Sequence, residues 1–325
     1  HILHKKLFFD ESVISGQSVV IIIGLILFLY LVLSRVMKYT RIVRDRMFAF
    51  IIFAFFTIFF WMAFEQGATS LVIYARDFVD RSLTGSGLLI FNVFNTLLTV
   101  IPLALITYVL ILLFKRTKDR ALATNIVLFI CFAIVWGIVL WMLFREFTAE
   151  ASEITVSWFS ILNSFFIIVF ASLFAKWWDS KYNPSAAGKY ALGLIIMGLG
   201  FGILAFGSLS IPQGALPGTI RVSMVWLILA YLFHTIGELC LSPVGLSYVS
   251  KLVPGRMIAF MFGMWYLAIA IGNKLAATTG GMIDEIVEKY NMSTFFMIFT
   301  IIPVAAGILV FLLNKPLKKL MHGVR

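Results

Sequence analysis

The chain has 325 residues, 62% of them hydrophobic and 13% charged, where soluble proteins average about 45–50% apolar and about 25% charged. Its 33 phenylalanines and 8 tryptophans carry more apolar surface than one soluble core can hide, which excludes an ordinary soluble domain and a disordered chain alike. The net charge of +11 falls in short clusters between apolar runs, without the continuous basic face that a nucleic-acid partner needs.

A hydrocarbon core about 30 Å thick takes roughly 20 apolar helical residues. Nine stretches reach that length: 18–37, 47–74, 86–114, 121–145, 154–177, 189–209, 222–247, 256–278 and 292–314. They are too long for buried strands and lack barrel-type alternation, so nine transmembrane helices are predicted. Cys131 and Cys240 lie inside these runs and read as packing residues rather than as a disulfide or metal pair.

The connections orient the spans. Basic residues follow the first span (Arg35, Lys38, Arg41, Arg44, Arg46), the third (Lys115, Arg116, Lys118, Arg120), the fifth (Lys176, Lys181, Lys189) and the seventh (Lys251, Arg256). The tail adds Lys315, Lys318, Lys319 and Arg325. The alternate loops hold Asp77, Asp80, Glu146, Glu150, Glu153, Asp284, Glu285 and Glu288. This bias predicts a cytoplasmic basic side, with the N-terminal segment outside and the C-terminus inside. Most of the positive charge then reflects topology and contact with membrane lipids. Repeated membrane folds usually hold even halves, so nine spans entered from outside predict a further, N-terminal half.

Polar residues inside the spans are the functional candidates, because hydrocarbon does not tolerate them idly. In span two, Glu65 follows Phe59–Phe64 and reads either as a proton carrier or as a structural hydrogen-bonding group near a helix end. Trp61 offers a pocket wall with an indole donor, or a core residue. Asp77, beside Arg76 at the outer end, is a gate candidate or a loop carboxylate. In span five, Asn163 can donate and accept together, a property suited to an amide ligand or a facing helix.

Span seven is the most informative. Glu238 lies deep in Gly237–Gly245 beside a helix breaker, and His234 precedes it by four positions, so both can share one face. Two such groups make a weak metal pair and a better proton-sensitive pair; a satisfied interfacial histidine is the plain alternative. Ser242-Pro243-Val244-Gly245 is expected to interrupt the helix with a kink. In span eight, Trp265 is a second aromatic candidate, while Lys274 reads as a snorkelling cation. Phosphate loops, zinc-protease spacing and a nucleophile elbow are not found in the sequence, so an enzyme is not expected and no cofactor is implied. A channel also uses scattered polar groups, but deep carboxylates beside a proline favour coupled transport.

Several of these segments together resemble the proton-dependent oligopeptide transporter family of the major facilitator superfamily. Gly237-Glu238-Leu239-Cys240-Leu241-Ser242-Pro243-Val244-Gly245, followed by Leu252-Val253-Pro254, resembles its tenth core helix. Phe60–Gln66 is similar to the seventh, Phe159–Ser164 to the eighth and Met264–Leu267 to the eleventh. The resemblance implies an all-α polytopic membrane protein: the C-terminal six-helix bundle of a major facilitator fold plus three accessory transmembrane helices. It divides the chain into an outer segment and accessory helix (1–43), a first core helix (44–80), an inserted hairpin (81–150), and five core helices with a cytoplasmic tail (151–325).

The same resemblance implies roles. Glu238 corresponds to the carboxylate that receives a peptide's amino terminus, and Asn163 to a ligand of the substrate backbone. Trp61, Ser242 and Trp265 match pocket positions, Glu65 belongs to the helix-seven signature, and Asp77 matches an outer gate. Ser160 and Ser164 stand where the family commonly has glutamine and proline, which alters the expected selectivity. The implied activity is proton-coupled symport of di- and tripeptides in the bacterial inner membrane, with short peptides, protons, lipids and an N-terminal six-helix half as partners. A transporter of another amphipathic solute, and a scaffold or receptor derived from a transporter, are the alternatives.

Overall fold

A computed structural model describes residues 16–324. In hydrocarbon the backbone must satisfy its own hydrogen bonds, and among the described residues nine spans are long and apolar enough to cross a membrane. They contain α1 (Gly16–Val36), α2 (Arg41–Phe64) continued by α3 (Ser70–Asp77), α4 (Gly85–Thr117), α5 (Leu122–Thr148), α6 (Trp158–Trp178), α7 (Ala186–Gly207), α8 (Val225–Leu252), α9 (Ile258–Gly280) and α11 (Met292–Leu312). Two short helices, α10 (Ile283–Lys289) and α12 (Asn314–Leu320), were not expected from the apolar runs. Each is only seven residues long, and α10 buries just Ile283 and Val287, so neither carries a span-length signal.

The helices form two units. The first comprises the helices up to Phe78 and from Phe159 onward, and the second is Val79–Trp158. The first unit has a core of α2, α7, α8, α9 and α11. Phe50, Phe53, Phe60, Tyr190, Phe201, Phe295, Phe296 and Phe299 are all buried there; the Phe53 ring lies 5.0 Å from that of Tyr190, and Phe201 lies 5.3 Å from Phe299. Lipid tails are as apolar as these side chains, so small residues and polar ties must hold such helices together. Gly193 and Gly237 supply the first device: a Cβ on either would meet the other's carbonyl oxygen at 2.8 Å. Polar ties include the hydroxyls of Thr57 and Tyr190, and Ser208 donating to the Tyr74 hydroxyl at 3.0 Å. α1 keeps Ile22, Ile26 and Tyr30 exposed, as a lipid-facing helix does.

Span two is broken rather than continuous. A 3-10 turn at Glu65–Ala68 separates α2 from α3. The amide of Gln66 repairs the break, donating to the carbonyls of Met62 (3.2 Å) and Ala276 (3.1 Å) and accepting from Ser70 Oγ at 2.6 Å. Such re-satisfaction by side chains is what permits irregular backbone at membrane depth. The segment 242–245 lies within α8, which continues to Leu252; one missing backbone donor is tolerated within a membrane helix. α6 begins at Trp158, later than the expected 154.

The second unit is an antiparallel helical hairpin. Ser82–Thr84 pairs with Ala151–Glu153, Ser82 opposite Glu153, and this ribbon delays the start of α6. Asn92 donates to the Glu146 carbonyl at 3.0 Å, Asn95 to the Glu146 carboxylate at 3.1 Å, and the Trp158 indole to Asn95 Oδ1 at 3.3 Å. Cys240 is buried, but Cys131 is exposed on α5 and so is not the packing residue expected.

The Gly193–Gly237 crossing is testable by thermal unfolding in detergent, followed by tryptophan fluorescence. Gly237→Ala is expected to cost about 1–3 kcal/mol, because the added methyl meets backbone. Gly24→Ala, at a position with nothing within 4 Å, is expected to leave the midpoint unchanged or slightly higher.

Candidate functional site

On α8, Thr235 and Glu238 are three residues apart and project to neighbouring positions of one face. Asn163 comes from α6 in a single turn interrupted by polar side chains. Asn163 Nδ2 donates to Glu238 Oε2 at 3.4 Å, and Thr235 Oγ1 donates to Asn163 Oδ1 at 2.6 Å. The Thr235 hydroxyl also lies 2.8 Å from the Tyr231 carbonyl, so its single proton is shared between two acceptors. Both ends of the Asn163 amide are thereby engaged by α8.

Glu238 is half-buried, and its bond to Asn163 is long. Among the described residues Asn163 is its one donor, so most of its acceptor capacity is left unused there. Ser242 lies one turn further along the same helix and is also half-buried.

His234 points elsewhere. It is 3% exposed, its ring is 4.4 Å from that of Phe201 on α7, and its Nε2 has no hydrogen-bond partner among the described residues. Four helical positions leave about 40° of arc between two side chains, enough here for His234 to face α7 while Glu238 bonds α6. The structure therefore does not join them as a pair.

The remaining candidates are dispersed. Trp265 is 3% exposed and packs over Gly245, where any Cβ would collide with its indole; its ring centroid is 5.7 Å from that of Phe50. Trp61 is half-buried and edge-on to Phe60 and Phe64 at 6.0 and 5.3 Å. Glu65 opens the 3-10 turn and is half-buried.

Asp77 is 9% exposed, so it is not a free loop carboxylate. It takes two hydrogen bonds from Arg76, at 2.7 and 2.8 Å, and its backbone oxygen accepts from Gly218 at 2.8 Å. Both residues line a cavity of about 400 Å³ with Asp284 and Glu288.

Thr235, Gln66 and Tyr231 escaped the sequence reading. Tyr231 donates to the Gly67 carbonyl at 3.3 Å, tying α8 to the 3-10 turn, and Gln66 ties that turn to α9. Their signal was position: Thr235 and Tyr231 stand three and seven residues before Glu238, and Gln66 adjoins Glu65.

The profile of the POT family matches residues 115–302, more than half of the chain. The chain belongs to the POT family. Within it, a peptide transporter of Yersinia enterocolitica is 25% identical over 97% of this chain and 49% of its own. A di-/tripeptide transporter of Lactococcus lactis is 30% identical over 72% of this chain and 48% of its own. An uncharacterized transporter of Bacillus subtilis is 32% identical over 64% of this chain and 43% of its own.

Among solved structures, a POT family transporter in complex with 5-aminolevulinic acid superposes with a TM-score of 0.64 at 20% identity, over 93% of this chain and 48% of that one. A POT peptide transporter in complex with alafosfalin gives 0.62 at 24%, over 96% and 50%. The chain spans about half the length of the curated relatives it matches. These likenesses establish the fold as an all-α polytopic membrane protein of major facilitator type.

The α6–α8 bridge can be weighed by a double-mutant cycle on Thr235→Val and Asn163→Ala, read as unfolding free energy in detergent. A coupling of about 0.6–1.7 kcal/mol is expected, as for hydrogen bonds between membrane helices. Additive effects would mean that the two side chains do not act together.

Proposed function

We propose that this chain supplies the C-terminal half of a proton-coupled symporter of di- and tripeptides that works by alternating access in the bacterial inner membrane. The observation that carries the reading is the half-buried Glu238 carboxylate, held among the described residues by one long bond to Asn163 between two membrane-spanning helices. POT-family membership and relatives named as peptide transporters support it. The same kinship supports transport rather than catalysis.

In this mechanism Glu238 receives the ammonium of a peptide's amino terminus, and the Asn163 amide turns to the peptide backbone. Ser242, Trp61, Glu65 and Trp265 shape the surrounding pocket, and His234 stiffens α8 against α7. Proton and ammonium compete for one carboxylate, so their exchange replaces a neutral carboxyl by a carboxylate–ammonium ion pair of the same net charge; what changes is the set of bonds Glu238 makes between α6 and α8, and with it the favoured closure. Asp77 acts as the outer gate by exchanging Arg76 for a cation on an N-terminal six-helix half, which also supplies the groups that engage the peptide's carboxylate. The basic loops and the C-terminus face the cytoplasm.

A second reading keeps the mechanism and changes the cargo. Ser160 and Ser164 on α6 are small, and one structural relative was solved with 5-aminolevulinic acid, an amino-terminated solute that is not a peptide. A competition panel of such solutes against peptides separates the two.

Uptake of labelled dialanine by the intact protein in proteoliposomes, under an imposed inward proton gradient, tests the proposal. Accumulation is expected in the native protein, and Glu238→Gln is expected to abolish it while counterflow persists. Asn163→Ala is expected to raise the half-saturating concentration about tenfold, the cost of one hydrogen bond to a charged or polar ligand. Gradient-independent uptake by the native protein, or coupled uptake unchanged by Glu238→Gln, would contradict the reading.

A further inference from the structure

The Val79–Trp158 hairpin has a cavity of its own. About 600 Å³ lies between α4 and α5, lined from Thr107 to Phe114 on one helix and from Asn125 to Trp136 on the other. The α4 stretch corresponds to about 10 Å of helix. Phe114, Phe129, Phe132 and Trp136 provide most of the aromatic lining, and Phe114 and Phe129 are exposed. The polar groups along it are already engaged. The Trp136 indole donates to Thr107 Oγ1 at 3.0 Å, Thr107 donates to the Leu103 carbonyl at 2.7 Å, and Asn125 Nδ2 donates to Thr117 Oγ1 at 3.1 Å. A lining whose donors are satisfied internally selects an apolar occupant.

Charge stands at one end. Between Phe114 and Asn125 in the chain come Lys115, Arg116, Lys118 and Arg120, against the single acid Asp119. All four are exposed, and none joins an ion pair with a carboxylate among the described residues. Four unneutralised cations beside an apolar slot between two membrane-spanning helices match an amphiphile with an anionic head. A neutral lipid would fill the slot and leave the cations unmatched, and a free phosphate would do the reverse.

We propose that this hairpin is a binding site for an anionic glycerophospholipid, with one acyl chain in the α4–α5 cavity and the phosphate on the Lys115–Arg120 turn. The site is separate from the α6–α8 bridge and does not depend on which solute the protein carries.

Native mass spectrometry of the intact protein in detergent tests this, titrated with palmitoyl-oleoyl phosphatidylglycerol or with phosphatidylcholine of the same chains. Phosphatidylglycerol adducts are expected at about tenfold lower concentration. The combined variant Lys115→Gln, Arg116→Gln, Lys118→Gln, Arg120→Gln is expected to lose this preference while retaining phosphatidylcholine adducts. Ala133→Phe, at an exposed position that lines the cavity, is expected to weaken both lipids with the cations intact. Equal affinity for the two lipids in the native protein, a preference that survives the charge variant, or displacement of the lipid by glycerol 3-phosphate at equal concentration would overturn the proposal.

Discussion

The carboxylate of Glu238 is the constraint around which the described structure can be understood. An acid at membrane depth is costly, and among the described residues an amide, that of Asn163, is what donates to it. The amide is itself positioned by Thr235, whose hydroxyl is anchored to its own helix at the Tyr231 carbonyl. Tyr231 in turn reaches the Gly67 carbonyl in the 3-10 turn. One chain of polar contacts therefore links α6, α8 and the break between α2 and α3.

Close packing lets those contacts form. α8 is pressed to α7 where Gly193 faces Gly237, one residue before Glu238, so the backbone carrying the acid is fixed against a core helix. His234 fills the same interface from the preceding turn, over Gly200 and Phe201. Glu238 thus stands on a helix packed closely against α7, and α6 is joined to α8 through Asn163. A bilayer gives apolar helices little reason to prefer one neighbour over another, so polar ties and small residues decide the arrangement.

Much of this was legible in the residues. The nine spans follow from apolar length alone, and Glu238 and Asn163 stood out because hydrocarbon penalises them. Their partnership did not, since α6 and α8 are not consecutive and hydropathy does not say which faces meet. Trp265 and His234 show the same gap. The sequence marks an aromatic or titratable group in a span without saying what it packs on, here Gly245 for Trp265 and Phe201 for His234. Asp77 was placed at the outer end, but its pairing with adjacent Arg76 depends on side-chain rotamers. The helix break at Glu65–Ala68 was hidden because Gln66 compensates for it across to α9, a contact more than two hundred residues away in sequence.

The central claim is that Glu238 itself exchanges a proton when a peptide amino terminus arrives. Difference infrared spectroscopy of the intact protein in lipid, on adding dialanine, reads that exchange directly. The account expects a carboxylic-acid band to give way to carboxylate on binding, and expects both features to vanish in Glu238→Gln. The same bands persisting in Glu238→Gln, or no carboxyl change in a protein that binds the peptide, would contradict it.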